Sequence, residues 1–235
     1  MKIILLGYGK MGKIIEQVAI NRGHQISARI DVDNQYEFDN AEGDVAIEFS
    51  HPDAAFANIS KCLLRNIPVV CGTTGWLNRK SEVVDLCGQV DGTFFYASNY
   101  SLGVNLFFKL NEHLAKVMNN FPQYDVMMDE IHHSEKKDAP SGTAISLAES
   151  ILKNISRKKT WVNKKTTKTN ELHIGSFRID QVPGTHVVKY ESPIDDIEIK
   201  HTAHSREGFA LGAVTVSEWL QDKKGVLTMD DFLKF

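Results

Sequence analysis

A chain of 235 residues with 42% hydrophobic and 9% aromatic side chains can bury one large or two modest cores, which excludes a disordered or fibrous protein. The 27 Lys and Arg against 30 Asp and Glu leave a net charge of -3, so no global field draws in nucleic acid or an acidic membrane, and any bound anion is held by a local site. Cys62, Cys71 and Cys87 are odd in number and lack CxxC spacing, which argues against a disulfide framework and a zinc site and for small core residues.

The opening "MKIILLG" has an apolar run too short for a secretory signal or a membrane span, which predicts a cytoplasmic protein. It reads as a strand that meets the glycine turn "GYGKMG". The following "KIIEQVAINRG" places Ile14, Ile15, Val18 and Ala19 on one helical face before Gly23 stops it. "QISARID", "DVAIEFS", "PVVCGTT" and "TFFYASN" are further strands, separated by the helix-like "AAFANISKCLLRN" and "SEVVDLC". This alternation predicts a Rossmann-type, doubly wound parallel α/β sheet. From about Ser101 the rhythm changes. "LGVNLFFKLNEHLAKVMNNF" reads as a long amphipathic helix, "YDVMMDEIHH" as a strand and "SGTAISLAESILKNI" as a helix. The basic "SRKKTWVNKKTTKTN" reads as a solvated loop, and "LHIGSFRI", "GTHVVKYES" and "DIEIKHTAH" as strands of a mixed or antiparallel sheet in a second α+β domain. A helix, "GFALGAVTVSEWLQ", and a short "TMDDFL" segment follow, with no repeats.

Gly7, Gly9 and Gly12 form G-x-G-x-x-G directly after a strand and at the start of a helix. The first serves the tight turn, the second the approach of a pyrophosphate and the third close helix–strand packing, with helix N–H groups facing the phosphates. Asp31, 19 residues past Gly12, stands where an acid accepts hydrogen bonds from the adenine ribose. Val32 and Asp33 follow instead of an arginine, so a 2'-phosphate meets repulsion that Lys10 or Lys13 only partly offsets. NADH is favoured over NADPH.

"EIHHSEKKDAPSGTA", Glu130 to Ala144, combines a histidine pair, lysines and a helix start. In a strand His132 and His133 point to opposite faces, and no HExxH or cysteine cluster accompanies them or the later "HTAH", so no metal is expected. Ser141 or Asp138 can cap the helix, with Pro140 near its first turn. A helix opening at Ser141, Gly142 and Thr143 also offers N–H groups and two hydroxyls to a carboxylate, with His132 and Lys136 beside it to donate a proton or hold charge.

These residues resemble the signature of the 4-hydroxy-tetrahydrodipicolinate reductase (dihydrodipicolinate reductase) family of diaminopimelate and lysine biosynthesis. "GYGKMG", "CGTTGW", "ASNYSLGVN" and "AHSREGFALGA" agree in order, so the resemblance spans nearly the whole chain. It implies a dinucleotide domain of residues 1–100 completed by 206–235, and a substrate-binding and oligomerisation domain of 101–205 that builds a homotetramer. It places acid/base chemistry on His132 and proton donation on Lys136, and substrate contacts on His133, Gly142 and Thr143 beside Ser141. Cofactor contacts fall on the turn Gly7, Tyr8, Gly9, Lys10, Met11 and Gly12, on Asp31, on Gly72, Thr73 and Thr74, and on Ala97, Ser98, Asn99 and Tyr100. The glycine turn is one residue shorter than in longer members, and little sequence separates Asp33 from "DVAIEFS", departures that touch cofactor preference more than catalysis. The substrate implied is a small cyclic dicarboxylate, with neither nucleic acid nor membrane as partner. Two other readings remain open at this level: another Rossmann dehydrogenase acting on an amino acid or sugar, and a non-catalytic dinucleotide sensor.

Overall fold

Two sheets organise the computed structural model, which describes residues 1–205 and 207–234; Arg206, at the expected domain boundary, lies outside them. The chain clusters into one unit of Met1–Leu102 with the segment from Glu207 onward, and a second from Gly103 to about residue 206.

In the first unit β1 (Lys2–Leu6), β2 (Gln25–Ile30), β3 (Val45–Glu48), β4 (Val69–Cys71) and β5 (Thr93–Tyr96) form a parallel sheet, extended by a late strand β11 (Gly225–Leu227). The order is β11-β5-β4-β3-β1-β2, so the winding reverses at β1. Both faces of the inner strands β1, β3, β4 and β5 are covered, which is why they read as largely apolar runs, while the edge strand β2 alternates and is partly exposed. Ile4 and Leu6 join one core with Ala55 and Ile59 of α2 (Pro52–Leu64) and Val83 of α3 (Lys80–Gln89). Ile3 and Leu5 join the other with Ile15 and Ala19 of α1 (Lys10–Asn21) and Ala213 and Val214 of α6 (Glu207–Trp219). All three cysteines are buried and free.

The second unit is a mixed sheet of order β10-β9-β6-β8-β7. Its strands are β6 (Asp125–His132), β7 (Thr160–Val162), β8 (Glu171–Arg178), β9 (Gly184–Glu191) and β10 (Asp196–Ala203). The β6–β8 and β7–β8 pairs are parallel, and the β6–β9 and β9–β10 pairs antiparallel. Val126, Met128, Leu172, Ile174, Val188 and Tyr190 pack one face against α4 (Leu102–Met118) and α5 (Gly142–Asn154). Alternation sends Met127, Ile131 and Phe177 to the opposite face, where Phe177 is 48% exposed.

Three segments depart from the sequence reading. The basic stretch 156–170 is not all solvated loop: Trp161 of β7 packs on the core, and Lys158 is 2% exposed, its ammonium 2.7 Å from Asp125 and 2.8 Å from the Glu171 carbonyl. Its charge is buried because both partners are supplied from other strands, which local composition cannot show. Val32–Asn40 forms a 3₁₀ segment with Phe38 buried, and the three-residue β11 is too short for a periodic signal. The "TMDDFL" segment is a short helix, α7 (Met229–Leu233). Among the described residues no helix is long and apolar enough to cross a membrane.

Candidate active site

In the first unit the glycine turn lies at the C-terminal end of β1, where the winding reverses and an open α/β sheet receives its ligand. Gly7 has φ +93°, and a Cβ there would sit 2.2 Å from the Phe49 carbonyl oxygen. At Gly12 a Cβ would stand 2.3 Å from the Gly7 carbonyl oxygen, whereas Gly9 faces open space. Gly9 caps α1 without a side-chain hydrogen bond, which leaves that helix end open to an anion. Lys10 and Met11 form the first turn of α1.

A cleft of about 230 Å³ adjoins the turn, lined by Gly7, Tyr8, Gly9, Asp31, Phe49 and Ser50 among others. The Asp31 carboxylate accepts from the N–H of Tyr8 at 3.2 Å and of Val32 at 2.9 Å, so one exposed acid ties the turn to the end of β2. Asp33 is also exposed. Tyr8 hydrogen-bonds Glu16, which also pairs with Arg29. The Gly72 N–H donates to the Glu48 carbonyl at 2.9 Å, and buried Thr73 accepts from the Ser50 N–H at 2.9 Å, while Thr74 is exposed. Of residues 97–100, Ser98 is exposed and Asn99 half-buried, its side chain accepting from the Ser101 N–H at 2.9 Å. Ala97 and Tyr100 are core; the phenol of Tyr100 is 1% exposed and donates to the Cys71 carbonyl at 2.7 Å, so only its backbone is left to face a ligand. The sequence reading places Phe49 and Ser50 only as the last two residues of the predicted strand "DVAIEFS"; β3 ends at Glu48, which leaves them in the turn that lines the cleft.

In the second unit the alternation of β6 puts Glu130 and His132 on one buried side, while His133 follows the strand half-buried. The antiparallel register sets Glu130 opposite His186 of β9, and the parallel register sets His132 opposite Arg178 of β8. The Glu130 carboxylate lies directly against His132 Nδ1, and these two atoms have no other hydrogen-bond partner among the described residues. Glu130's second oxygen accepts from Arg178 at 2.9 Å. The same guanidinium donates to the carbonyls of Lys136 at 3.2 Å and Asp138 at 2.6 Å, which fastens the lysine loop to the strand that carries His132. Lys136 itself pairs with Asp138 at 2.8 Å. A Cβ at Gly184 would come within 3.0 Å of His132 Nε2, so glycine keeps that nitrogen uncovered.

Ser141 caps α5, its Oγ accepting from the Ala144 N–H at 3.2 Å; Gly142 is exposed over open space and Thr143 half-buried. His186 Nε2 is 3.1 Å from the same Oγ, and its ring lies edge-on to His132 with centroids 5.1 Å apart. His132, His186 and Ser141 thus form one continuous wall. Arg178 and His186 escaped the sequence reading because only strand register, across more than 45 residues, brings them here.

Burial raises the Glu130 carboxyl, but Ser176, Arg178 and His132 outweigh it and hold it below the ordinary carboxylate value. Burial lowers the His132 imidazole; Glu130 opposes this, Lys136 and Arg178 reinforce it, and the net direction is down. His186 is pushed down to about 4, by burial first and by His132 next. Glu130, His132 and His186 each bring one ligand atom within 4.8 Å of the others, the spacing of a candidate metal trio that the sequence did not suggest. Direct contact of Glu130 with His132 Nδ1 makes the arrangement here a carboxylate–imidazole pair.

Residues 1–100 match the family model described as "Dihydrodipicolinate reductase, N-terminus", and residues 103–233 match "Dihydrodipicolinate reductase, C-terminus". A relative from Christiangramia forsetii named 4-hydroxy-tetrahydrodipicolinate reductase is 51% identical over 234 residues, covering 99% of this chain and 98% of its own. The chain belongs to the dihydrodipicolinate reductase family. A relative of the same name from Clostridium novyi is 36% identical, covering 99% of this chain and 98% of its own. The solved dipicolinate-bound dihydrodipicolinate reductase from Paenisporosarcina sp. TG-14 superimposes with a TM-score of 0.81 at 20% identity, over 99% of both chains, and shares the fold. As a member of this reductase family the chain is an NAD(P)H-dependent oxidoreductase. Its first unit fits that cofactor: the close approaches at Gly7 and Gly12, the open space over Gly9 and the uncapped start of α1 leave room for a pyrophosphate.

Proposed function

We propose that the chain reduces 4-hydroxy-tetrahydrodipicolinate to tetrahydrodipicolinate in diaminopimelate and lysine biosynthesis. The observation that carries the residue roles is a helix start, Ser141 to Thr143, built against buried His186, whose ring lies edge-on to His132, the histidine whose Nδ1 rests on the Glu130 carboxylate. The dinucleotide supplies the hydride. Ser141, Gly142 and Thr143 grip a substrate carboxylate through hydroxyls and the α5 N-terminus, and His133 contributes from the end of β6. Glu130 holds His132 by Nδ1, leaving Nε2 to exchange a proton, and Lys136 donates a proton or holds positive charge beside the substrate. The first unit, through residues 7–12, Asp31, 72–74 and 97–100, binds the dinucleotide; the second binds substrate and assembles a homotetramer, an assignment supported by the apolar residues on the open face of its sheet. A biosynthetic reductase drawing on NAD(P)H suits the cytoplasm.

The deciding experiment is a coupled assay in which substrate is made from pyruvate and aspartate semialdehyde. Loss of NADH absorbance on adding substrate supports the reading; no turnover despite dinucleotide binding would leave a sensor. NADH serves better than NADPH, because the exposed Asp31 and Asp33 repel a 2'-phosphate. A higher kcat/KM with NADPH at low salt would overturn that preference and assign Lys10 or Lys13 as phosphate ligands.

Thr143→Val keeps the shape and removes one hydrogen bond to a charged group, worth roughly 1.5 to 3 kcal/mol. Affinity for pyridine-2,6-dicarboxylate is expected to fall by about ten-fold or more. Gly142→Ala is the companion test, since its methyl group meets nothing in the fold and intrudes only on the anion. A lower melting temperature with unchanged inhibitor affinity would reduce the segment to a helix cap.

A further inference from the structure

We propose that His186 is a positioning residue that makes the Ser141 hydroxyl an obligate hydrogen-bond donor to the anion at the start of α5. The inference rests on reading Ser141 to Thr143 as a carboxylate cradle.

The argument is an accounting of donors and acceptors. His186 is 5% exposed, and its Nδ1 is buried with no hydrogen-bond partner among the described residues. Burial, with His132 adding to it, pushes the imidazole down to about 4, so at neutral pH the ring is uncharged and carries one N–H. On Nδ1 that proton would be an orphaned buried donor, the rarer and costlier defect, while an empty lone pair is better tolerated. The proton therefore sits on Nε2, 3.1 Å from Ser141 Oγ, and is donated to it. Ser141 Oγ already accepts the Ala144 N–H at 3.2 Å. A serine hydroxyl has two acceptor positions and one proton. Both acceptor positions are filled, and Oγ has no further partner among the described residues, so its proton is left for a ligand atom that only accepts. A carboxylate is such a ligand.

A cap alone would need no histidine, since the Ala144 bond suffices for the helix. The histidine matters because a free hydroxyl rotates to suit either a donor or an acceptor. Holding it in one sense removes that freedom before the ligand arrives.

The test combines a direct observation with variants. In the full-length protein, the ring nitrogen-15 shifts of His186 read the tautomer, and the expected result is Nε2–H with a bare Nδ1. The dissociation constant of pyridine-2,6-dicarboxylate is then measured in the presence of NADH. Ser141→Ala is expected to weaken binding about ten-fold and His186→Met by a similar factor. His186→Gln, whose amide can replace the Nε2–H donor, should stay within about three-fold of wild type. The Ser141→Ala, His186→Met double variant should bind no worse than Ser141→Ala alone, because His186 acts through that hydroxyl. A merely structural histidine would instead add its full loss in the double variant and gain nothing from Gln. Proton on Nδ1, or an additive loss, overturns the inference while a weakened Ser141→Ala keeps the cradle. If Ser141→Ala and Thr143→Val both bind the dicarboxylate as wild type does, the cradle itself fails.

Discussion

His132→Ala and Lys136→Ala are each expected to lower kcat by about 100-fold to 10,000-fold, the usual cost of losing a positioned general acid, with NADH affinity near wild type. The geometry supports the expectation on three counts. Glu130 occupies His132 Nδ1, Gly184 leaves Nε2 uncovered, and Arg178 ties the lysine loop to Glu130. The pH profile adds a sign. Lys136 is one of the charges that lower His132, so Lys136→Ala removes a repulsion and raises the imidazole. The part of the residual kcat profile governed by His132 should then move to higher pH. Full kcat in both variants would remove the pair from the chemistry, and an unmoved profile would separate Lys136 from His132.

Glu130→Ala is expected to cost about 3 to 5 kcal/mol of stability, since it strips the partner from a guanidinium and an imidazole around a carboxylate that is itself fully buried. The melting temperature should fall by on the order of 10 °C, and Glu130→Gln, which keeps the shape and one acceptor, by less. Because the folded Glu130 carboxyl is held below its unfolded value, its contribution is present above the unfolded value and disappears as pH falls through the folded one. His186 acts over a higher window: with an ordinary value of 6.5 and a folded value of about 4, it withdraws on the order of 3 kcal/mol as pH falls across that range. Wild type should therefore lose stability on acidification before its carboxylates titrate, and His186→Gln should lose less over that interval. Equal acid sensitivity in the two proteins would contradict the buried neutral histidine.

Much of this was legible locally. Apolar runs such as "KIILL" and "DVAIEFS", alternating with amphipathic segments, announce a parallel sheet covered on both faces, because a strand buried on both sides must be largely apolar, Glu48 being the buried exception in β3. The glycine turn and Asp31 are readable because a positive φ and a close backbone approach demand glycine at fixed spacing from the strand they end. Ser141 as cap of α5 is readable because capping is a contact between residues three apart.

Other features had no local signal. Lys158 looks like one more surface lysine and is buried, since Asp125 and the Glu171 carbonyl come to it from other strands. Tyr100 sits in a stretch that suggests ligand contact, yet its phenol completes the core by reaching the Cys71 carbonyl. By itself the sequence determined the two kinds of sheet, the glycine turn, the helix start and the pairing of His132 and Lys136 on one short segment, because propensity, periodicity and capping act over a few residues. Only the tertiary structure decided that Glu130, Arg178 and His186 surround His132, and that His186 meets Ser141. Those neighbours are set by the register of β6 against β8 and β9, and register depends on how three distant strands bury their alternating faces together.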